Sequence, residues 1–595
     1  MPDRNIDVLE AGREGANGMA GARTTPEPVT AAPTTLAEAV VQILAALGAR
    51  HAFGVSGGAM AALWHALSKS ALAVRHFRHE SGAAFAAVEA HFASDRPVIV
   101  FTTTGPGLTN ALTGLLAARG EGAKVIVLSA ATTAAQRGRW AIQETCGQSM
   151  PGDLYSAGAL FHFATLLESA EALPAVARRL AHGLARPGGF VAHLAIPTGL
   201  QATEWRGPLP DLSIVRGEEA PTAETIARCA RLLSDEPFAI WLGFGARRAS
   251  ALVRRLAERT GAAVMCSPRA KGTFPEDHPQ FVGVTGMGGH GSTVAYMTEA
   301  RPRRVLVLGT RLGEATSFWN PAMVPADGFI HVDVDPGVPG VAYPTAPTLA
   351  VRADVGVFIA ALLEHLPERA PAEVCFPRPE RLQIGLAVAG AVRPEALMDA
   401  IQEVVIERNG AMVLAESGNS FAWASHCLRF SEAGRYRVST GVGSMGHAGA
   451  GVVGAAQGRG GKAVAILGDG AMLMNNEINT AVKFDLPAVW IVLNDARYNM
   501  CEQGMATLGL AADASIPEVD FAMLARALGA EGLRVEREAE LVPAFERAMA
   551  ASGPFVLDVK IDPMRTAPAQ GRNRGLRAQI ADAAPGHPVS FPRTA

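Results

Sequence analysis

Ala463-Val-Ala-Ile-Leu-Gly468-Asp469-Gly470, followed by Ala488-Val-Trp-Ile-Val-Leu-Asn494-Asp495, is the stretch on which the fold turns. Each half is a continuous apolar run, as in strands buried on both faces of a parallel sheet. A helical segment lies between them, so the pair reads as one βαβ unit. Both runs end in polar residues, and open α/β sheets bind ligands at the carboxyl ends of their strands. Magnesium takes oxygen ligands in near-octahedral array, commonly one or two carboxylates plus substrate phosphates. Asp469, Asp495 and a nearby backbone carbonyl can supply that set. Taken singly, each has an ordinary use: Asp469 in a glycine-flanked turn, Asn494-Asp495 as a helix cap.

Outward from this unit the same alternation recurs. Strands are predicted near 412–414 and 435–439 before it, near 239–242, 305–308 and 330–334 in the middle, and near 51–55, 98–102 and 124–128 toward the start. Polar, Pro-containing breaks near 206–221 and 367–379 divide the chain. The expectation is α/β, with three doubly wound parallel-sheet domains at 34–205, 215–370 and 380–563. Residues 1–33 read as a flexible leader and 564–595 as a polar C-terminal tail. No sequence repeat is evident, although folds recur without one.

The chain has 595 residues, 49% of them apolar, with 63 glycines and 38 prolines, which suits several packed domains rather than a disordered protein. Lys plus Arg (53) nearly balances Asp plus Glu (56), leaving no basic surplus for nucleic acid or an anionic membrane. Six scattered cysteines without C-x-x-C spacing suit reduced thiols in a cytoplasm. Neither a secretory signal nor a stretch of transmembrane length is read in the sequence.

Gly441-Val-Gly443-Ser-Met445-Gly446, with Asp469 beyond it, is a passable dinucleotide fingerprint and would make the chain a nicotinamide-dependent Rossmann protein. That reading leaves Asn494-Asp495 unused. It also leaves unused Arg78-His79-Glu80 with its Gly/Ala-rich helix, the strand Val98-Ile-Val-Phe-Thr102, and Thr104-Gly105-Pro106-Gly107-x-x-Asn110. By position alone, Glu80 is a helix-start carboxylate favoured by the helix dipole.

Together these motifs resemble the thiamine-diphosphate-dependent enzymes, over residues 35 to about 563. The resemblance implies a pyrimidine-binding, a central and a diphosphate-binding domain. It implies Mg²⁺ held on the diphosphate by Asp469, Asp495 and the carbonyl of Arg497, with Asp495 standing where the family has asparagine. It places Asn419, Ser420, Gly468, Gly470, Asn494, Tyr498 and Met500 around the cofactor. Gly443 would accept the 4′-amino group through its carbonyl, and Met445 would be the apolar wedge. Glu80 would be the activating glutamate. The thiazolium carbon is a very weak acid, and a carboxyl group bonded to the far ring nitrogen in a dry site lets the aminopyrimidine deprotonate it. Because the family pairs the first domain of one subunit with the last of another, a homodimer or homotetramer is implied.

Ile142-Gln143-Glu144, Lys271-Gly-Thr-Phe-Pro-Glu276, Gly309-Thr-Arg311 and His331-Val-Asp-Val-Asp335 are similar to the acetohydroxyacid synthase branch. The likeness implies a carboligase that decarboxylates a 2-keto acid and adds the acyl carbanion equivalent to a second carbonyl, with Gln143 lining the substrate channel. Other readings are a lyase or non-oxidative decarboxylase of the same cofactor class. Two departures point to a bulkier or less acidic acceptor: Ala315 where that branch has an arginine, and Gly504 where it has a tryptophan. Cys501 and Glu502 line up with substrate-facing positions. Some relatives bind FAD in the central domain, where Gly243-Phe-Gly245 and Gly309 suit phosphate contacts or simply turn the chain.

Overall fold

The β-branched runs at the start of the chain become the interior of a parallel sheet. It holds β1 (His51–Val55), β2 (Ala73–His76), β3 (Val98–Thr102), β4 (Lys124–Ala131), β5 (Phe163–Leu166) and β6 (Phe190–Pro197), in the order β2-β1-β3-β4-β6-β5. This is a computed structural model that describes residues 34–213, 217–367, 375–380, 387 and 390–582. The expected leader at 1–33 and positions 583–595 of the expected tail lie outside the described residues.

A second sheet holds β7 (Phe238–Leu242), β8 (Ala263–Cys266), β9 (Phe281–Val284), β10 (Arg304–Leu308), β11 (Phe329–Asp333) and β12 (Thr348–Arg352), ordered β12-β11-β10-β7-β8-β9. The third holds β13 (Met412–Ala415), β14 (Tyr436–Val438), β15 (Ala463–Gly468), β16 (Ala488–Asn494), β17 (Glu531–Val535) and β18 (Phe555–Lys560), ordered β14-β13-β15-β16-β18-β17. Helices flank all three sheets, so the fold is three doubly wound α/β units. Counted within each unit, the first and third sheets share one strand order although their sequences do not repeat. The middle sheet has the order of dinucleotide-binding folds. The glycine fingerprint at Gly441–Gly446 thus belongs to a sheet of the other order, after the edge strand β14.

The first and third units meet through the helices Glu80–Ser94 and His447–Arg459. Both are rich in Gly and Ala because the backbones touch: a Cβ on Gly454 would lie 1.9 Å from the Ala86 carbonyl oxygen, and one on Gly458 2.7 Å from that of Ala90. Charge is buried in this seam. Glu89 accepts from both arms of Arg437 at 2.9 and 3.0 Å and pairs with His447 Nε2 at 2.9 Å. Glu121, ending the helix Pro106–Glu121, pairs with Arg269 of the middle unit at 2.8 Å. Among the described residues no helix is long and apolar enough to cross a membrane.

Candidate active site

Parallel register builds the first half of the site. Pairing of Gly468 with Leu493 across β15 and β16 sets Asp469 beside Asn494-Asp495, although the two clusters are far apart in sequence. Asp469 is buried, and its carboxylate accepts from the amides of Gly470 and Ala496, both at 2.7 Å. Ala496 takes a left-handed conformation (φ 55°), which turns the chain sharply after Asp495. Asp495 accepts from Asn499 Nδ2 at 2.6 Å. Burial raises the pKa of both aspartates. Asp495 is pushed up to about 6, mainly by burial and further by the neighbouring Asp469 charge. Two desolvated carboxylates this close suit a shared cation.

Several expected cofactor residues converge here. A Cβ on Gly470 would come within 2.6 Å of the Tyr498 ring and 3.1 Å of the Met445 terminal carbon, so Gly470, Met445 and Tyr498 share one small space. Gly443 is left-handed (φ 64°) in the loop before the helix His447–Arg459. Asn419 and Ser420 open the helix Asn419–Cys427 after β13, and Ser420 donates to the Glu416 carbonyl at 3.1 Å. The Asn419 and Asn494 amide oxygens are buried without a hydrogen-bond partner, the kind of polar atom that a bound group satisfies. The amide nitrogen of Asn494 is already committed, to Asp558 at 2.8 Å and the Val519 carbonyl at 2.9 Å. Only its oxygen is left to a ligand. Arg497 turns its guanidinium to Glu502 at 3.2 Å, and Met500 lies beside them in the helix Asn499–Thr507. A diphosphate with a divalent cation fits this donor set: two acidic oxygens, orphaned amide oxygens and glycine-rich turns.

The second half lies at the carboxyl end of the first sheet. Glu80 begins the helix Glu80–Ser94 and is buried, so it is not the exposed dipole partner that its position allowed. Asn110 Nδ2 donates to its carboxylate at 3.1 Å. Gly107 lies beside it: a Cβ there would be 3.5 Å from Glu80 Oε1 and 3.0 Å from Thr103 Cγ2. Gln143, left-handed at φ 53°, accepts from Thr104 Oγ1 at 3.2 Å and lies against Gly105. Its neighbours Trp140 and Ile142 are 96% and 94% exposed. Within the chain no hydrogen bond or ion pair joins Glu80 to Gly443, Met445, Asp469 or Asp495, among the described residues.

Sequence reasoning missed what ties the two halves together. Glu477, left-handed at φ 52° and buried, accepts from the backbone amides of Arg78 and His79, each at 3.1 Å, just ahead of Glu80. Asn475 donates to Ser81 at 3.2 Å. Glu121 accepts from the amides of Thr440 and Gly441 at 2.9 and 2.8 Å, where the loop to Gly443 and Met445 begins. Partners this distant in sequence leave no local signal, and Glu477 stands among Asn475, Asn476 and Asn479, where nothing marks it as buried.

The substrate pocket differs from expectation. Gly504 was expected to leave open space, but the position is covered: a Cβ there would lie 2.9 Å from Arg572, whose helix Gln570–Asp582 occupies what reads in sequence as a polar tail. Gly571 of that helix abuts Phe318, at the end of the turn Glu314–Ser317 that carries Ala315. Cys501 is exposed, and Glu502 is drawn to Arg497. In the middle unit, Gly243, Gly245 and Gly309 press on one another, with a Cβ on Gly243 falling 2.1 Å from the Gly309 carbonyl. Close backbone approach accounts for these glycines without a flavin. His76 bonds within the first unit, to Ser56, while His290 accepts from the Val284 amide and pairs its Nε2 with the His426 carbonyl of the third unit at 3.0 Å.

Comparison with known proteins agrees with this geometry. The family models for the thiamine pyrophosphate enzymes match in chain order: the N-terminal TPP binding domain at residues 34–150, the central domain at 226–362 and the C-terminal TPP binding domain at 416–559. The chain is 28% identical to an acetolactate synthase of Mycobacterium bovis over 93% of its length and 94% of the relative's. It is also 28% identical to an acetolactate synthase of Mycobacterium leprae, covering 95% and 94%. An X-ray structure of a protein assigned as a thiamin diphosphate-dependent enzyme, from Mycobacterium smegmatis, superposes with a TM-score of 0.76 at 22% identity, covering 89% of this chain and 99% of that one.

Proposed function

We propose that this chain, a member of the thiamine-diphosphate-dependent enzymes in their acetolactate synthase-like branch, is a carboligase that decarboxylates a 2-keto acid and joins the acyl fragment to a second carbonyl. The bond between the carboxylate and the keto carbon breaks, CO₂ leaves, and the electron pair it leaves behind forms a bond to the acceptor carbonyl carbon. The acceptor oxygen takes up a proton, giving an acyloin or 2-hydroxy-keto product. When bound, thiamine diphosphate supplies the nucleophilic carbon and the electron sink.

The chain's own residues orient, neutralise and exclude water. Asp469, Asp495 and the Arg497 carbonyl would hold Mg²⁺ on the diphosphate, with Asn419, Ser420 and Asn494 nearby. Gly443 and Met445 would seat the pyrimidine, and Glu80 would hold a proton against its ring nitrogen. Asn110 fixes the Glu80 carboxylate by the bond from Nδ2. Gln143, held by Thr104, would meet substrate from the Glu80 side.

The reading puts each site between two copies of the chain. The observation that carries it is that each half is well formed, yet no hydrogen bond or ion pair joins Glu80 itself to Gly443, Met445, Asp469 or Asp495 within one copy, among the described residues. Apolar exposure supports it: Trp140 and Ile142 flank Gln143, while Val442 and Met474 flank the other half. A homo-oligomer covers such surfaces. Six unpaired cysteines suit a reducing, cytoplasmic setting.

Product analysis by mass spectrometry tests the chemistry, using protein loaded with thiamine diphosphate and Mg²⁺ and a panel of 2-keto acids with and without aldehydes. A new carbon–carbon product is expected. Free aldehyde as the sole product throughout would replace the carboligase with a decarboxylase.

A further inference from the structure

The C-terminal helix Gln570–Asp582 has little apolar surface to hold it, yet it is wedged between two units. Gly571 lets it press on Phe318, since a Cβ there would sit 2.6 Å from that ring, and Arg577 Nε donates to the Thr507 carbonyl at 3.3 Å. These contacts deliver Arg572 onto Gly504: a Cβ at 504 would meet the guanidinium nitrogens at 2.9 and 3.1 Å. Gly504 sits one turn beyond Cys501 in the helix that follows the Asp495 loop.

Arg572 is half-buried and, among the described residues, has neither a hydrogen-bond acceptor nor a carboxylate partner. Its neighbours are different. Arg497 is paired with Glu502, Arg565 lies near Asp562 and Glu395, and Arg577 bonds a backbone carbonyl. Burial lowers the Arg572 pKa, and the Cys501 thiol beside it offsets that shift only in part. Removing a charge from water without pairing it is costly, and buried charges are ordinarily paired, so a half-buried guanidinium without an acceptor is suited to an anionic ligand. Glu502, the nearest acid in the helix below, is turned toward Arg497 and leaves Arg572 free.

We infer that Arg572 is a specificity-determining residue of the substrate pocket, binding the carboxylate of a 2-keto acid acceptor through its planar fork. This rests on the carboligase reading above. A guanidinium pairs with a carboxylate through two parallel hydrogen bonds, a geometry that lysine does not reproduce. A carboxylate is favoured over the cofactor diphosphate because the groups suited to the diphosphate converge at Gly470 and Asp469, whereas Arg572 lies over Gly504. The acceptor is then a keto acid, not the less acidic molecule that Ala315 and Gly504 alone suggest. The cation comes from the C-terminal helix instead of from the turn at Ala315.

The test uses the full chain loaded with thiamine diphosphate and Mg²⁺, with Arg572→Met and Arg572→Lys. Pyruvate is the donor, and 2-ketobutyrate competes with propanal as acceptor. Arg572→Met is expected to lower the ratio of acid-derived to aldehyde-derived product by about tenfold or more, with Arg572→Lys intermediate. Calorimetric binding of oxamate, an unreactive keto-acid mimic, should weaken in parallel while thiamine diphosphate affinity holds. An unchanged product ratio with unchanged oxamate binding overturns the inference. A fall in thiamine diphosphate affinity in place of the oxamate effect also overturns it and assigns Arg572 to the diphosphate. If the parent protein forms no carbon–carbon product, the carboligase reading fails, and oxamate binding still shows whether Arg572 holds a carboxylate.

Discussion

The first and third units have the same strand order, and both place their polar residues at the carboxyl ends of their strands, yet they carry opposite halves of one chemistry. The third unit gathers two desolvated aspartates, orphaned amide oxygens and glycine turns. The first offers the buried Glu80 carboxylate, oriented by one asparagine, beside an exposed apolar rim. A shared topology fixes where a ligand sits; the side chains at those strand ends fix what each half does to it. The helices Glu80–Ser94 and His447–Arg459 join the halves through the Glu89–Arg437–His447 cluster.

Substitutions that strike one half at a time should separate these roles. Glu80→Gln keeps size and polarity but removes the acid. Turnover should fall by about 10²–10⁴-fold, the range of a lost acid–base group, with thiamine diphosphate binding retained. Near-normal turnover would remove Glu80 from the mechanism. Asp469→Ala should act on binding instead. Support residues around metal ligands are worth about 10–100-fold in metal affinity, so loss of a ligand should weaken Mg²⁺-dependent retention of the cofactor by at least that much. Equilibrium dialysis with and without Mg²⁺ reads it.

Between the halves, Arg437→Met leaves Glu89 buried with only His447. Breaking a buried pair costs about 3–5 kcal/mol, so thermal unfolding should move down by several degrees. Pairing it with Glu89→Leu should recover much of the loss, and no recovery would mean that Arg437 acts through some other contact. The smallest effect is expected for Asn110→Ala. One lost hydrogen bond to a buried carboxylate is worth about 1–3 kcal/mol, so kcat should drop by roughly tenfold with cofactor affinity unchanged.

Much of the third unit is legible in sequence because its strands are buried on both faces and read as uninterrupted apolar runs. Their parallel register follows, and with it the meeting of Asp469 and Asp495. Short or half-exposed strands such as Ala73–His76 and Phe163–Leu166 carry no such run and escape notice. Glu80 stands out through its neighbouring motifs, not through any period. The contacts of Glu477 with Arg78 and His79, and of Glu121 with Gly441, are made by tertiary packing and have no local trace. The helix Gln570–Asp582 is hidden for a related reason. Gly571, Gly575 and Asn573 lower its helix propensity and its sequence is mostly polar, and docking on Phe318 and Thr507 holds it.

The central claim is that Glu80 of one copy completes the Asp469 site of another. Mixing subunits tests it most directly: Glu80→Gln and Asp469→Ala chains, each inactive alone, are dissociated together and reassembled. If sites form between copies, every mixed dimer holds one intact site and one doubly defective site, and a random mixture should recover about a quarter of the parent activity. Failure to recover activity, with mixed dimers shown to be present, would put both halves of the site within a single chain and contradict the account.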